Sequence, residues 1–273
     1  MASIDADFRA PPARLKIRWG QIATGGAALL LILAMAWVVA QSQSIQWGEI
    51  PAYLVDPRVL NGVVLTLQLT IGAMVFGIVV GCVVAAMAIS ENLVLRAIAA
   101  GFVWWFRGVP LIVQIFLWFN IALFVPRIGL WDINMLVTPA VAGFLALGLH
   151  EAANMSEIVR AGLNAVGKGQ REAAQALGLK PMMIMRTIIL PQAVRLVIPP
   201  TGNQAIGMLK ASAIVSVIGM RDLLTMSQQI YAANFLVIEL LFVASIWYLG
   251  ITTVAQIGQH YLEKRFAPKG RGS

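Results

Sequence analysis

His150, Glu151, Asn154 and Glu157 follow an apolar run. Their three- and four-residue spacing aligns His150 with Asn154 and Glu157, and Glu151 with Asn154, on one helical face. An ionisable residue at membrane depth is costly, so it faces a bundle interior or a water-filled cavity. There Glu151 can receive the ammonium or other basic group of a solute, or it can close a buried ion pair, for instance with Lys210. His150 by itself suits a hydrogen-bonded helix position better than a ligand role. Two other kinds of chemistry fail. Gly162 to Gly169 comes within one residue of a phosphate-binding loop, but Gly169 has no hydroxyl for magnesium and the segment follows an apolar helix, so nucleotide binding by this chain is not expected. Two histidines, His150 and His260, and the single Cys82 make neither a metal cluster nor an internal disulfide, and no nucleophile and base stand at recognisable spacing.

The elements that must position these residues are set by composition. Of 273 residues, 59% are hydrophobic and 12% charged, against about 25% charged in a soluble domain. The apolar residues fall in long runs, which makes the chain an all-α integral membrane protein. The runs are Ile22 to Ala40, Gly62 to Ile89, Ile98 to Phe124, Met135 to Met155, Ala193 to Gly219 and Phe235 to Ile257, six expected spans. The first also has the basic flank of a signal peptide and a weak cleavage pattern at Ala34 and Ala36, but its apolar run is too long for one. Pro110 interrupts the third, so Arg107 is expected to end an interfacial helix, binding lipid phosphate, capping carbonyls or serving coupling. Gly77 and Gly81 are a small-xxx-small pair that permits close helix packing. Trp37, Trp47, Tyr53, Trp131 and Trp247 suit membrane interfaces.

Twenty Lys and Arg against twelve Asp and Glu give a net charge of +8. Arg9, Arg14, Lys16, Arg18, Arg96, Arg160, Lys168, Arg171, Lys180, Arg186, Lys264, Arg265, Lys269 and Arg271 fall on one side of the six spans, and only Arg58, Arg127 and Arg221 on the other. The positive-inside rule then makes both termini cytoplasmic, and the basic balance reports topology, with no nucleic-acid partner implied.

The polar interval 160–192 faces the same side. Gln170 to Leu177 is rich in helix formers, Gly178 supplies a left-handed helix end, and Pro181 suits the first turn of a second helix, Met182 to Leu190, that runs to Pro191. Two short helices about a glycine turn make a rigid knob, with Ala173, Ala174 and Leu177 on or near one face, shaped to enter a groove on another protein.

Glu172-Ala173-Ala174, three residues, Gly178, nine residues, Ile188, one residue, Leu190-Pro191 resembles the coupling-loop signature of bacterial ABC importer permeases. Asn61-Gly62 with Thr66-Leu67, Phe106-Arg107-Gly108 with Pro110-Leu111, Glu157-Ile158 with Arg160, and Pro199-Pro200 with Asn203 and Lys210 narrow the resemblance to the polar amino acid permeases of histidine and glutamine type. It covers 61–264, a permease domain of five usual spans with loop 160–192. Residues 1–60, with the leading span, are an addition, and 265–273 form a basic tail. The resemblance implies a non-catalytic subunit in a bacterial inner membrane. Its partners would be an ATP-binding cassette ATPase dimer that holds the ATP and Mg, a second copy or a related permease, and a substrate-binding protein outside, with membrane lipid around it. Glu172 would contact the ATPase, Ala173 and Ala174 would allow close approach, and Gly178 would set the angle between the two helices. The family usually has small or hydroxyl-bearing residues near His150-Glu151 and an aromatic near Asn154, and this sequence departs there. The expected substrate path is His150, Glu151, Asn154 and Lys210. A secondary amino acid transporter driven by an ion gradient through His150 and Glu151 is the alternative, but it leaves the 172–191 spacing unexplained, and a membrane enzyme has less in its favour still.

Overall fold

The computed structural model describes residues 19–266. Arg9, Arg14, Lys16, Arg18, Lys269 and Arg271, and most of the expected 265–273 tail, lie outside them. Residues up to Ile45 and those from Gln46 onward are two separate units. The first contains α1 (Trp19–Ala40), whose window Ala23–Ala40 is apolar on every side and packed by nothing within its unit, the composition of a helix with lipid as its solvent.

The second unit begins with the short α2 (Ile50–Leu54) and α3 (Pro57–Ala88). Asp56 caps α3 by accepting the Arg58 N–H at 2.8 Å, and Pro57 occupies the first turn, where no N–H is needed. The 32 residues of α3 extend about 48 Å, longer than a hydrocarbon core of about 30 Å. After it come α4 (Leu93–Gly108), capped by Asn92, and α5 (Leu111–Phe119), bent against each other by 104°. Pro110 causes the break: it lacks an N–H and pushes Val109 into extended backbone (φ −91°, ψ 131°). Gln114 stabilises the break, its Nε2 donating to the Phe106 carbonyl at 2.9 Å and the Val109 carbonyl at 2.8 Å. The third apolar run is therefore a bent pair. A two-residue hairpin, β1 (Arg127–Ile128) with β2 (Trp131–Asp132), and the short α6 (Ile133–Leu136) lead to α7 (Pro139–Ala165).

α7 is the centre of the unit. Gly77 and Gly81 of α3 lie against it so closely that a Cβ on Gly77 would stand 2.8 Å from the Glu151 Cβ, and one on Gly81 would stand 2.7 Å from the Met155 Cβ. Gly148 of α7 leaves equivalent space for Phe76. The expected small-residue contact is thus between α3 and α7, and around it Leu69, Ala73, Ala146, Leu147 and Ile115 form the main apolar core. Among the described residues, four helical segments are long and apolar enough to cross a membrane, or five if the bent pair is counted as one span. α7, the expected fourth span, is long enough but falls short on apolarity, because it carries His150, Glu151, Asn154 and Glu157, of which Glu151 is buried inside the unit.

Beyond α7, α8 (Lys168–Ala176), α9 (Pro181–Ile184) and a π-helical segment (Met185–Ile189) lead into α10 (Leu190–Ala211). Here the expectation of a helix ending at Pro191 is corrected: the helix runs from Pro181 to Ile218. The wider π turn just before Pro191 accommodates the missing donor and the ring. α10 continues through Pro199 and Pro200 into a 3₁₀ segment (Ser212–Ile218) and a turn at Gly219 (φ +70°). The Pro199 carbonyl accepts from Gln259 Nε2 at 2.8 Å on the last helix. α11 (Leu223–Asn234) and α12 (Val237–Phe266) complete the unit. Buried Asp222 caps α11 through the Thr225 N–H at 2.9 Å, Thr66 Oγ1 accepts the Leu223 N–H at 3.0 Å, and Tyr248 donates to Asp222 at 3.4 Å.

Candidate functional site

α5, α7 and α10 enclose a cavity of about 150 Å³ lined by Leu111, His150, Glu151, Asn154, Gln204 and Gly207, with Leu147, Met208 and Ala211. Glu151 is 3% exposed. One oxygen, Oε2, accepts from Gln204 Nε2 at 3.4 Å, and Oε1 has no hydrogen-bond partner. The Gln114 Nε2 that caps the α4–α5 break also lies 3.3 Å from His150 Nδ1, so the break and the cavity share a polar contact.

Three of the four expected path residues, His150, Glu151 and Asn154, meet at this cavity. Lys210 does not: it is exposed at the last turn of α10 and, among the described residues, makes no ion pair with Glu151. It lies six positions after Gln204, which puts it about 9 Å further along the helix and on another face. Glu157 also leaves the expected polar face. It pairs with Arg160, Nε to Oε1 at 3.0 Å, and with Arg107 at 3.9 Å, at the end of the unit that carries the α8–α9 loop. Gln114 and Gln204 join the site although neither is among the residues expected from the sequence. Both are amides in apolar helices, and the depth criterion that singled out Glu151 would have found them.

The loop is a small folded body. α8 ends in a Schellman motif: the Gly178 N–H donates to the Gln175 carbonyl at 2.9 Å and the Leu179 N–H to the Ala174 carbonyl at 3.2 Å, with Gly178 at φ +74°. Ala174 is not on the expected docking face. It is 3% exposed and packs with Ile184 and Ile189 in the loop's own core, against which Ile188 also rests. Glu172, Ala173 and Leu177 are exposed, Leu177 at 80%, while Leu190 and Pro191 lie exposed at the base of α10. Gln192 Nε2 donates to Gln170 Oε1, tying α8 to that base. The phosphate-loop look-alike spans the end of α7 and the start of α8, with Gly162 buried against Val197, so it forms no phosphate cradle.

Residues 73–268 match the family described as the binding-protein-dependent transport system inner membrane component. The chain is also 38% identical over 268 residues, 95% of its length and 83% of the relative's, to the arginine transport system permease protein ArgU of Corynebacterium glutamicum. This chain belongs to that permease family. The permease is 35% identical to the nopaline transport system permease protein NocM of Agrobacterium fabrum, over 72% of this chain and 83% of NocM. Among solved structures, it resembles a chain of an amino acid ABC transporter crystallised with histidines, with a TM-score of 0.74 and 32% identity over 81% of this permease and 99% of that chain. A chain of the MetNI methionine ABC transporter shares the fold, with a TM-score of 0.64 at 19% identity, covering 84% of the permease and all of that chain. The permease is thus a non-catalytic, multi-pass membrane subunit of an ABC importer, which works with an ATPase and a substrate-binding protein.

Proposed function

We propose that this permease carries an amino acid, and one with a basic group in preference, past the Glu151 cavity. The observation that carries the reading is the buried carboxylate with one unmatched oxygen and no cation beside it among the described residues. A buried carboxylate left so is costly, and a solute ammonium or guanidinium would supply the missing charge and donors. Names of relatives that refer to arginine, glutamine and nopaline support the substrate class. His150 and Asn154 line the path beside it, with Gln204 holding the other carboxylate oxygen.

The loop 160–192 is the coupling surface. Glu172, Ala173 and Leu177 face an ATPase dimer that holds ATP and Mg, while Ala174, Gly178, Ile188, Leu190 and Pro191 give the knob its shape and its junction with α10. Residues 61–264 form the transport core, 1–60 an added segment. The core pairs with a second copy or a related permease in a bacterial inner membrane, both termini cytoplasmic, and receives solute from an external binding protein.

In the reconstituted transporter, Glu151→Gln changes which amino acids stimulate uptake and leaves protein yield intact. An unchanged solute profile with a fallen yield would give Glu151 a purely structural role. Glu172→Lys leaves the permease in the membrane and separates ATP hydrolysis from uptake; undiminished uptake would refute the coupling role. Uptake that needs the ATPase and ignores ionophores distinguishes this reading from ion-gradient transport by His150 and Glu151.

A further inference from the structure

At the loop end of the unit, a cavity of about 570 Å³ opens between the end of α3, the first three turns of α4 and the last turns of α7. Its wall is apolar, formed by Leu93, Val103 and the exposed indole of Trp104 among others, and its polar groups are Arg96, Arg160 and Glu157. The charges do not balance. Glu157 is already engaged by Arg160 and, from outside the cavity lining, by Arg107 at 3.9 Å. Arg96 is exposed, and among the described residues no carboxylate lies within ion-pair reach of it. The lining thus holds two guanidinium groups and one carboxylate, an excess of one positive charge carried by Arg96, beside an apolar slot with an indole at its edge. A soluble anion would leave the apolar wall wet, and an uncharged lipid would leave Arg96 unanswered. The complementary molecule is amphiphilic and anionic, and a protein that crosses a bilayer is surrounded by such molecules.

We propose that this cavity binds one anionic phospholipid. Its phosphodiester is held by Arg96 and Arg160, and the upper part of one acyl chain lies along Leu93, Val103 and Trp104. The site rests on the chain crossing a bilayer; neither the transported solute nor the sidedness of the protein enters it.

The test uses the assembled transporter with full-length permease, extracted from liposomes of equal phosphatidylglycerol and phosphatidylcholine. Native mass spectrometry counts the lipids each complex retains. The wild type retains one phosphatidylglycerol per permease chain in preference to phosphatidylcholine. Arg96→Gln and Arg96→Ala each lower that preference about fivefold, the effect of one basic residue at a membrane surface, whereas Arg96→Lys largely keeps it. Intact assembly in the same spectra shows that the variants fold. An unchanged preference in Arg96→Gln and Arg96→Ala overturns the site. So does displacement of the lipid by millimolar inorganic phosphate, which would mark a soluble-anion site. Retention by the isolated permease but not by the complex would mean that a protein partner covers the groove, and it also overturns the proposal.

Discussion

Asp56 does two jobs with one carboxylate. Oδ1 caps α3 through the Arg58 N–H, while both oxygens receive the Arg58 guanidinium, at 3.1 and 2.8 Å. The hydrogen bonds from the Arg58 side chain hold this carboxyl below the ordinary aspartate range. A carboxyl depressed in the folded state stabilises the fold above its unfolded value of about 4 and loses that contribution as pH falls through the folded value. Asp56→Ala therefore lowers thermal stability at neutral pH by about 1 kcal/mol, and the gap from wild type closes as the pH falls through the lowered folded value of that carboxyl. Melting curves across that range check it, and a gap that persisted in acid would remove the cap as its cause. Glu151 is the opposite kind of carboxylate, with one amide on one oxygen and nothing on the other. One carboxylate has both oxygens engaged, and the other has one.

At the level of elements, the turn that ends α8 depends at Gly178 on a backbone angle and not on contacts. A Cβ on Gly178 would meet nothing within 4 Å, so its φ of +74° is the whole obstacle to replacement. Gly178→Ala is expected to weaken the end of α8 by about 1 kcal/mol. Hydrogen exchange of the α8 amides should then quicken about fivefold where they open locally, and Gly178→Asn, which tolerates the left-handed region better, should lie between. Equal exchange in all three would show that the turn is not held by this residue. This glycine and the two helices around it were legible in the sequence because local rules govern them. The same holds for Gly77 and Gly81, although the sequence did not say that α7 was their neighbour. The continuation through Pro191 was not legible, since a proline reads as a stop unless the preceding turn is known to be widened. Nor was the division of the α7 polar face. Spacing along one helix places Glu157 with His150, while the neighbours that separate them, Arg107 on α4 and Gln204 on α10, come from distant parts of the chain.

For the whole molecule, the charge asymmetry yields a topology that chemistry can read. Cys82 is the only cysteine, so a Cys82→Ser background carries no other thiol. Gly169, at the start of α8, and Arg127, in the hairpin before α7, are expected on opposite sides of the membrane from the distribution of Lys and Arg. A membrane-impermeant maleimide added to intact cells should label Arg127→Cys and spare Gly169→Cys until the membrane is opened. The reverse pattern would invert the protein. The architecture adds a constraint of its own. α3 and α7 meet with almost no side chain between them at Gly77 and Gly81, so sliding one past the other would drive backbone into the Cβ atoms of Glu151 and Met155. The two therefore travel as a single strut. Whatever alternates between the faces of the membrane during a transport cycle must hinge elsewhere, and any movement of the elbow at Val109–Pro110 would reach the cavity, because the amide that holds it also touches His150.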